Sequence, residues 1–363
     1  GSLLQIMCLK LLQKHGHQPI VLLGGGTTRI GDPSGKDKTR TILNESIIEK
    51  NIKNIEKVLK KFLDTNNESI KPIFVNNYKW LKDLNYISFL RDIGKHFTLN
   101  KMLSFDSVKL RLEREQSLSY MEFNYMILQA YDFLELSKTK NCLMQIGGSD
   151  QWGNIVNGVE LIKRHSNKQV FGLTTPLITL ASGSKMGKTE KGAVWLDKKL
   201  LSSYDYWQYW RNTDDRDVLR FLKMYTDLTL EKIEEIKNKD INQLKIILAN
   251  ECTKMLHGDK EAKLAEETAK KTFSERSTGV GLPVIEIKQS QINQSLDIVN
   301  LILLSNLESS KSEIRRIIKN KGVKINNSTI DDEKLIITSS LFDKAKSFRL
   351  SLGKKRHIKV ELI

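Results

Sequence analysis

The stretch from Pro19 to Gly26 reads Pro-Ile-Val-Leu-Leu-Gly-Gly-Gly and carries the clearest indication of the fold. Ile20 to Leu23 is a short, continuous apolar run, which is typical of a parallel strand covered on both faces. Three glycines follow directly, and glycines let backbone N–H groups approach a ligand closely. A buried strand ending in such a loop predicts an α/β domain with its ligand site at the carboxyl edge of the sheet.

Helices and strands alternate on both sides of this stretch. Strands are predicted at 71–75 and 142–146, and helices at 3–15, 44–63, 81–93 and 123–136. This alternation predicts a Rossmann-like domain with a parallel sheet over residues 1–200. Because a helix precedes the first visible strand, we expect the first strand of the sheet to lie upstream of Gly1.

The remainder of the chain has a different pattern. Amphipathic helices dominate 201–275, which predicts an all-helical domain. Gly279, Gly281 and Pro283 indicate a linker over 276–292. Residues 293–363 contain 14 Lys or Arg against 8 Asp or Glu, and we predict a small basic α+β domain there.

Composition narrows the class of protein. The chain of 363 residues has a formal net charge of +16, which favours a polyanionic partner such as nucleic acid. Its three cysteines lack C-x-x-C spacing, so we expect a reducing, cytoplasmic environment. No apolar run approaches the ~20 residues of a membrane span. The six histidines show no metal-ligand spacing, and we predict no protein-bound metal.

The glycine loop does not fit two familiar nucleotide motifs. A Walker A motif would need Gly at position 30 and Ser or Thr at 37, where Ile30 and Asp37 stand. A dinucleotide fingerprint would need Gly at 29, where Arg29 stands. The loop pattern alone therefore does not distinguish a plain turn from a phosphate site, and it excludes a generic P-loop nucleotidase.

Three further motifs contain polar residues in patterns that suit a ligand. Tyr125, Gln129 and Asp132 recur at i, i+4 and i+7 of a helix, so they share one face, which either faces solvent or lines a polar pocket. The run 145–154, with paired glycines and several polar residues, follows a strand. The run 184–189, Ser-Lys-Met-Gly-Lys-Thr, could direct two lysines at a polyphosphate or be a solvated loop.

Taken together, in order and spacing, these four motifs resemble those of the bacterial tyrosyl-tRNA synthetases. In that family Lys185 to Thr189 takes the place of the class I KMSKS signature. Gly1-Ser2 would be the last half of the HIGH-type signature, unless it is a remnant of cloning. The signature histidine would then lie upstream, and we expect adenylate formation by these 363 residues alone to be severely reduced.

The resemblance implies a role for each matching residue. Tyrosine would bind to Asp32, Tyr125, Gln129, Asp132 and Gln151, with Asp132 on the phenolic hydroxyl. ATP would bind at Gly1, Ser2, Gly147, Gly148, Asp150 and Lys188, and the pyrophosphate would be stabilised by Lys36, Arg40, Lys185, Lys188 and Thr189. The C-terminal domain resembles the alpha-L type of RNA-binding domain, which implies that Lys311, Arg315, Arg316 and Lys319 contact tRNA.

The resemblance also implies the reaction and the partners. The enzyme would be a tyrosine–tRNA ligase that uses L-tyrosine, ATP with Mg²⁺ and tRNA(Tyr), without a tightly bound cofactor, and it would be a homodimer without membrane association. A tryptophanyl-tRNA synthetase is the nearest alternative, but indole has no hydroxyl to pair with Asp132. A non-catalytic RNA-binding relative is the alternative from another class.

Overall fold

The computed structural model describes residues 2–30, 43–115, 117–184, 186–189, 192–274, 282–343, 346–353 and 356–363. The chain divides into two compact units, Gly1–Ala193 and Val194–Ile363. Within the described ranges, no helix has the length and apolar character needed to cross a membrane.

The first unit is built on parallel strand pairs. Its strands are β1 (Ile20–Leu23), β2 (Ile73–Asn76), β3 (Met144–Gly148), β4 (Phe171–Thr175), β5 (Lys188–Thr189) and β6 (Gly192–Ala193). β1 pairs with β2 and β3 with β4, both in parallel, while β5 and β6 form a short antiparallel pair. The parallel α/β fold predicted from the sequence is confirmed.

Helices connect these strands, as the alternating pattern predicts. They are α1 (Ser2–Lys14), α2 (Glu45–Leu59), α3 (Tyr78–Leu81), α4 (Tyr86–Asp92), α5 (Leu99–Ser104), α6 (Asp106–Glu113), α7 (Tyr120–Thr139) and α8 (Trp152–Ser166). The single helix predicted at 81–93 is wrong, because α3 ends at Leu81 and α4 begins at Tyr86. Asn85 starts the second helix, since its side chain accepts a hydrogen bond from the Ser88 N–H.

Helices α7 and α8 pack closely in the core of the first unit. Gly158 of α8 makes this possible, because a Cβ added there would lie 2.9 Å from Cδ1 of Phe133 and 3.5 Å from Cα of Ala130, both on α7. Ser119 and Glu122 form a capping box at the start of α7. The two helices therefore hold their side chains at fixed relative positions.

The second unit begins with helices, as predicted. These are α9 (Ser203–Arg211), α10 (Val218–Tyr225), α11 (Leu230–Ile236), α12 (Ile241–His257) and α13 (Asp259–Ser274). Aromatic side chains fill their core: Tyr206, Trp210, Phe221 and Tyr225 are at most 1% exposed, and Trp210 contacts the other three rings.

The unit ends in a five-stranded sheet with three helices. Its elements are β7 (Val284–Ile287), α14 (Gln289–Asn293), α15 (Ile298–Leu304), α16 (Lys311–Lys319), β8 (Val323–Ile325), β9 (Ser328–Ile330), β10 (Ser347–Leu352) and β11 (Arg356–Leu362). The strand order is β7-β11-β10-β8-β9. The segment 276–292, predicted to be a linker, thus contains strand β7 and most of helix α14, and Ile287 joins the apolar core of this sheet.

Candidate active site

A cleft lies between β1 and β3 of the first unit, with α1 and α7 among its walls. Tyr125, Gln129 and Asp132 all line it, together with Gly24 and Thr27 of the glycine loop. The helical spacing of the three α7 residues predicted a shared face, and the structure brings that face to a pocket rather than to open solvent.

Asp132 lines the cleft and is buried, with 2% of its surface exposed. Its Oδ2 accepts a hydrogen bond from Nδ2 of Asn77 at 2.9 Å, and its Oδ1 accepts one from Nε1 of Trp80 at 2.7 Å. A carboxylate has about four acceptor positions, so these two donors leave capacity for one more. The arrangement suits a ligand that brings a hydroxyl donor to the bottom of the cleft.

The charge state of Asp132 depends on a balance between burial and hydrogen bonding. Burial raises the pKa of Asp132 to about 7, although the hydrogen bonds from Asn77 and Trp80 act in the opposite direction. Desolvation disfavours the charged carboxylate, while N–H donors favour it. Each donor that remains in place therefore helps to keep this side chain an acceptor near neutral pH.

Asn77 joins the glycine loop to this carboxylate. It is fully buried, and its Oδ1 accepts a hydrogen bond from the Gly26 N–H at 2.7 Å. Its Nδ2 also donates to Oγ1 of Thr27 at 3.0 Å. A side chain at Gly26 would crowd this arrangement, since an added Cβ would lie 2.8 Å from Cδ1 of Leu81 and 3.2 Å from Oδ1 of Asn77.

The carboxyl end of β3 provides a second group of polar residues. Gly147 and Gly148 end the strand, and Asp150 and Gln151 follow in a turn of 3₁₀ helix that leads into α8. Asn154 of α8 donates from Nδ2 to Oε1 of Gln129 at 3.0 Å and to Oε1 of Gln151 at 3.1 Å. The predicted residues Gln129 and Gln151 are therefore connected through a buried side chain.

The lysine loop is described in part. The Met186 N–H donates to the Ile178 carbonyl at 2.9 Å, and Met186 is 8% exposed. Lys188 and Thr189 form β5, although the described positions do not include their side chains. Ser2 is the first residue of α1. Gly1, Asp32, Lys36, Arg40 and Lys185, which the sequence analysis assigned to the site, lie outside the described residues.

The predicted RNA-binding residues lie on α16. Ile314 and Ile318 bury one face of this helix in the C-terminal core, while Lys311, Arg315, Arg316 and Lys319 are exposed on its other side. Two of these cations have acidic neighbours: Arg316 lies 2.7 Å from Glu313, and Arg315 lies 4.0 Å from Glu333. Helix α16 thus presents a basic surface.

Four residues of the site were given no role of their own by the sequence analysis: Thr27, Asn77, Trp80 and Asn154, of which Asn154 ends the run 145–154. Asn77 directly follows the residues of β2, and polar residues at the carboxyl ends of parallel strands are candidates for ligand sites. Trp80 stands three residues later, so one helical turn places both side chains on the same side. That Asn-x-x-Trp spacing is the pattern by which both could have been found.

Comparisons with known proteins identify the family. A family model described as "tRNA synthetases class I (W and Y)" matches residues 1–274. The protein named tyrosine–tRNA ligase from Pelagibacter ubique (strain HTCC1062) is 73% identical over 363 residues, which cover 100% of this chain and 88% of that relative. The protein of the same name from Rickettsia prowazekii (strain Madrid E) is 51% identical over 365 residues, covering 100% and 89%.

A solved structure is also similar. The C-terminally truncated mitochondrial tyrosyl-tRNA synthetase of Aspergillus nidulans matches with a TM-score of 0.65 and 30% identity, covering 74% of this chain and 81% of that chain. Given the cleft with Asp132 at its base and this identity along the whole sequence, the chain belongs to the bacterial tyrosyl-tRNA synthetases, within the class I tRNA synthetases.

Proposed function

We propose that the cleft of the first unit is the site at which this ligase activates L-tyrosine with ATP before esterifying tRNA(Tyr). Asp132 carries the proposal, because a carboxylate held by Asn77 and Trp80 can accept the phenolic hydroxyl of tyrosine. Phenylalanine would leave the remaining acceptor position of this carboxylate buried without a donor and is therefore rejected; the tyrosyl-tRNA synthetases are themselves the familiar example of such selectivity.

The amino and carboxylate groups of tyrosine would lie nearer the mouth of the cleft. Tyr125 and Gln129 line the same wall as Asp132, at successive helical turns above it. Together with Asp32 they supply acceptors for the α-ammonium, and Gln151 contacts the carboxylate. Gly147, Gly148 and Asp150 form the adenosine side, since paired glycines let a nucleoside lie against backbone, and Gly1 and Ser2 belong to the same ATP site.

Activation needs no protein nucleophile. An oxygen of the tyrosine carboxylate attacks the α-phosphorus of ATP, the bond to the bridging oxygen breaks, and pyrophosphate leaves. Mg²⁺ enters with ATP as part of the substrate. Lys36, Arg40, Lys185, Lys188 and Thr189 stabilise the charge that accumulates on the departing pyrophosphate. A ribose hydroxyl of the terminal adenosine of tRNA then attacks the carbonyl carbon, and AMP leaves.

The exposed cations of α16 are proposed to contact tRNA phosphates. The enzyme is expected to act in the cytoplasm, where its three cysteines stay reduced.

We further propose a homodimer, supported by large apolar side chains that helices α4–α7 expose. Ile87 is 70% exposed, Leu99 65% and Tyr120 67%, and large apolar side chains exposed on neighbouring helices commonly mark protein interfaces.

The reaction is tested by exchange of labelled pyrophosphate into ATP, using the full-length protein with tyrosine, phenylalanine or tryptophan. Exchange with tyrosine alone is expected. Asp132→Asn should lower the preference for tyrosine over phenylalanine by about a hundredfold, since a charged acceptor is lost. Exchange with tryptophan would contradict the assignment of Asp132 to a phenol, and tRNA binding without any exchange would favour a non-catalytic relative.

A further inference from the structure

Asn154 occupies a buried position between two glutamines of the proposed tyrosine site. It lies in the first turn of α8 and is 4% exposed. Its Nδ2 donates to Oε1 of Gln129, on α7, and to Oε1 of Gln151, in the turn after β3. One amide group therefore bonds to two residues that come from different elements of the fold.

This bonding fixes the orientation of both glutamine amides. The amide of asparagine has two N–H donors, and each glutamine offers it an oxygen. Turning either glutamine over would place its own NH₂ against Nδ2 of Asn154, in a position with little access to water. A buried donor without an acceptor is costly, so both glutamines keep the same orientation. If the nitrogen and oxygen of the Asn154 amide were exchanged, the nitrogen and oxygen of both glutamine amides would have to be exchanged as well. The orientations of the three amides are therefore coupled in either case.

The surrounding helices keep Asn154 in place. Gly158, one turn further along α8, brings that helix against Phe133 and Ala130 of α7. A side chain larger than hydrogen at this position would press on Phe133, so the two helices pack closely at this point. The distance from Asn154 to Gln129 is therefore set by the packing of the two helices and does not depend on a flexible loop.

We propose that Asn154 is a positioning residue for the amino-acid head group: it holds Gln129 and Gln151 so that Oε1 of Gln129 faces the ammonium of tyrosine and Nε2 of Gln151 faces its carboxylate. The inference rests on the proposed function, because it takes both glutamines to belong to the tyrosine site. Asn154 itself does not touch substrate. Oε1 of Gln129 has a second lone pair, which can accept from the ammonium while the first accepts from Asn154.

The test is the variant Asn154→Leu, which has a similar side-chain shape and no donor, in the full-length protein. The dissociation constant of tyrosine, measured by equilibrium dialysis, is expected to rise about tenfold, since two oriented contacts are loosened. The affinity of 4-ethylphenol, which keeps the hydroxyl and lacks both head groups, should change by less than about twofold because its contact with Asp132 is unaltered. A merely structural role would weaken both ligands equally and would contradict the proposal.

Two further variants separate the possible failures. Asn157→Leu changes an asparagine of the same helix that is also 4% exposed, and it should leave tyrosine binding unchanged. Gln129→Met removes the amide itself. If Gln129→Met weakens tyrosine binding and Asn154→Leu does not, Asn154 has no positioning role and the site assignment stands. If Gln129→Met has no effect, the assignment of Gln129 to the tyrosine site is wrong.

If Asn154→Leu does not fold, Asn154→Ser replaces it as the test. Serine retains one donor, so this variant should give a smaller loss of tyrosine affinity, and an unchanged affinity would overturn the proposal.

Discussion

Nε1 of Trp80 lies 2.7 Å from Oδ1 of Asp132, so an indole N–H holds the carboxylate that we propose binds the tyrosine hydroxyl. The other oxygen of Asp132 is held by Asn77. Two donors thus fix the plane of the carboxylate before any ligand arrives, and a preorganised acceptor discriminates better than one that must reorient.

Replacing this donor should weaken selection of tyrosine. Trp80→Phe keeps an aromatic ring and removes the N–H, and we expect kcat/KM for tyrosine in pyrophosphate exchange to fall about tenfold. Trp195→Phe, which changes a tryptophan that is 51% exposed, is the matched control and should be neutral. Equal rates for the two variants would show that the indole contact does not contribute to recognition.

The buried carboxyl of Asp132 should make the stability of the protein depend on pH. Its pKa is raised from 3.8 to about 7, so the folded protein binds more protons than the unfolded chain between these values. The free energy of unfolding should therefore decrease as pH rises from about 4 to about 7, by up to about 4 kcal/mol. Urea unfolding of the wild type at pH 5 and pH 8 measures this decrease. Asp132→Asn should show a smaller decrease, and identical pH dependence of the two proteins would contradict the prediction.

A buried ion pair supports the start of α7. Nη1 of Arg111 lies 3.2 Å from Oε1 of Glu122, and the two side chains are 5% and 3% exposed. Burial alone would raise the pKa of Glu122, but hydrogen bonds from Ser119 and Arg111 outweigh burial and lower it. Arg111→Met should cost about 3 kcal/mol of stability, because it leaves a buried charge without its partner.

Urea unfolding measures that cost, and two variants check its cause. Adding Glu122→Gln to Arg111→Met should recover part of the loss, because the unpaired charge is then removed. Arg164→Met breaks a pair with Glu160 whose side chains are 46% and 36% exposed, and it should cost less than about 1 kcal/mol. A double variant less stable than Arg111→Met would contradict this account.

The proposed dimer should depend on the apolar side chains of α4–α7. Ile87→Glu places a charge on the most exposed of these positions and should convert the dimer to a monomer in sedimentation velocity experiments. Ile55→Glu changes an isoleucine of α2 that is 52% exposed, outside these helices, and should leave the dimer intact. A dimer that tolerates Ile87→Glu and not Ile55→Glu would place the interface elsewhere.

The basic surface of α16 should contribute electrostatically to tRNA binding. Replacing Lys311 and Lys319 by Ala should weaken binding and reduce the slope of log K against log salt by about 2, because each lysine would neutralise one phosphate. Lys232→Ala is the control, since this lysine of α11 is paired with Glu235 at 2.6 Å. An unchanged slope in the double variant would exclude α16 from the interface.

Local patterns were sufficient to predict the parallel fold and the polar stripe of α7. The apolar run 20–23 and the helical spacing of Tyr125, Gln129 and Asp132 each lie within one element, so their geometry follows from the sequence. Asn154 and Gln129 are 25 positions apart and meet only because α7 and α8 pack together. No pattern within α8 indicates that contact, which is why it required the structure.

The residues that hold Asp132 were missed for a related reason. Trp80 was assigned to neither a helix nor a site, because the sequence pattern suggested one helix over 81–93 and the actual helix α3 ends at Leu81. An error of a few residues at a helix start was enough to remove both Asn77 and Trp80 from consideration. The roles of individual site residues therefore remain predictions, while the family and the fold do not.

The network around Asn77 has a consequence for how the first unit folds. The hydrogen bond from Asn77 to Asp132 joins residues 55 positions apart, and the bond from Gly26 to Asn77 spans 51. Closing loops of that length is slow compared with forming helices or turns. The proposed tyrosine pocket is consequently expected to be among the last parts of the unit to form. During refolding, helical content should return before the ability to bind tyrosine, and a partly folded chain would have no amino-acid specificity.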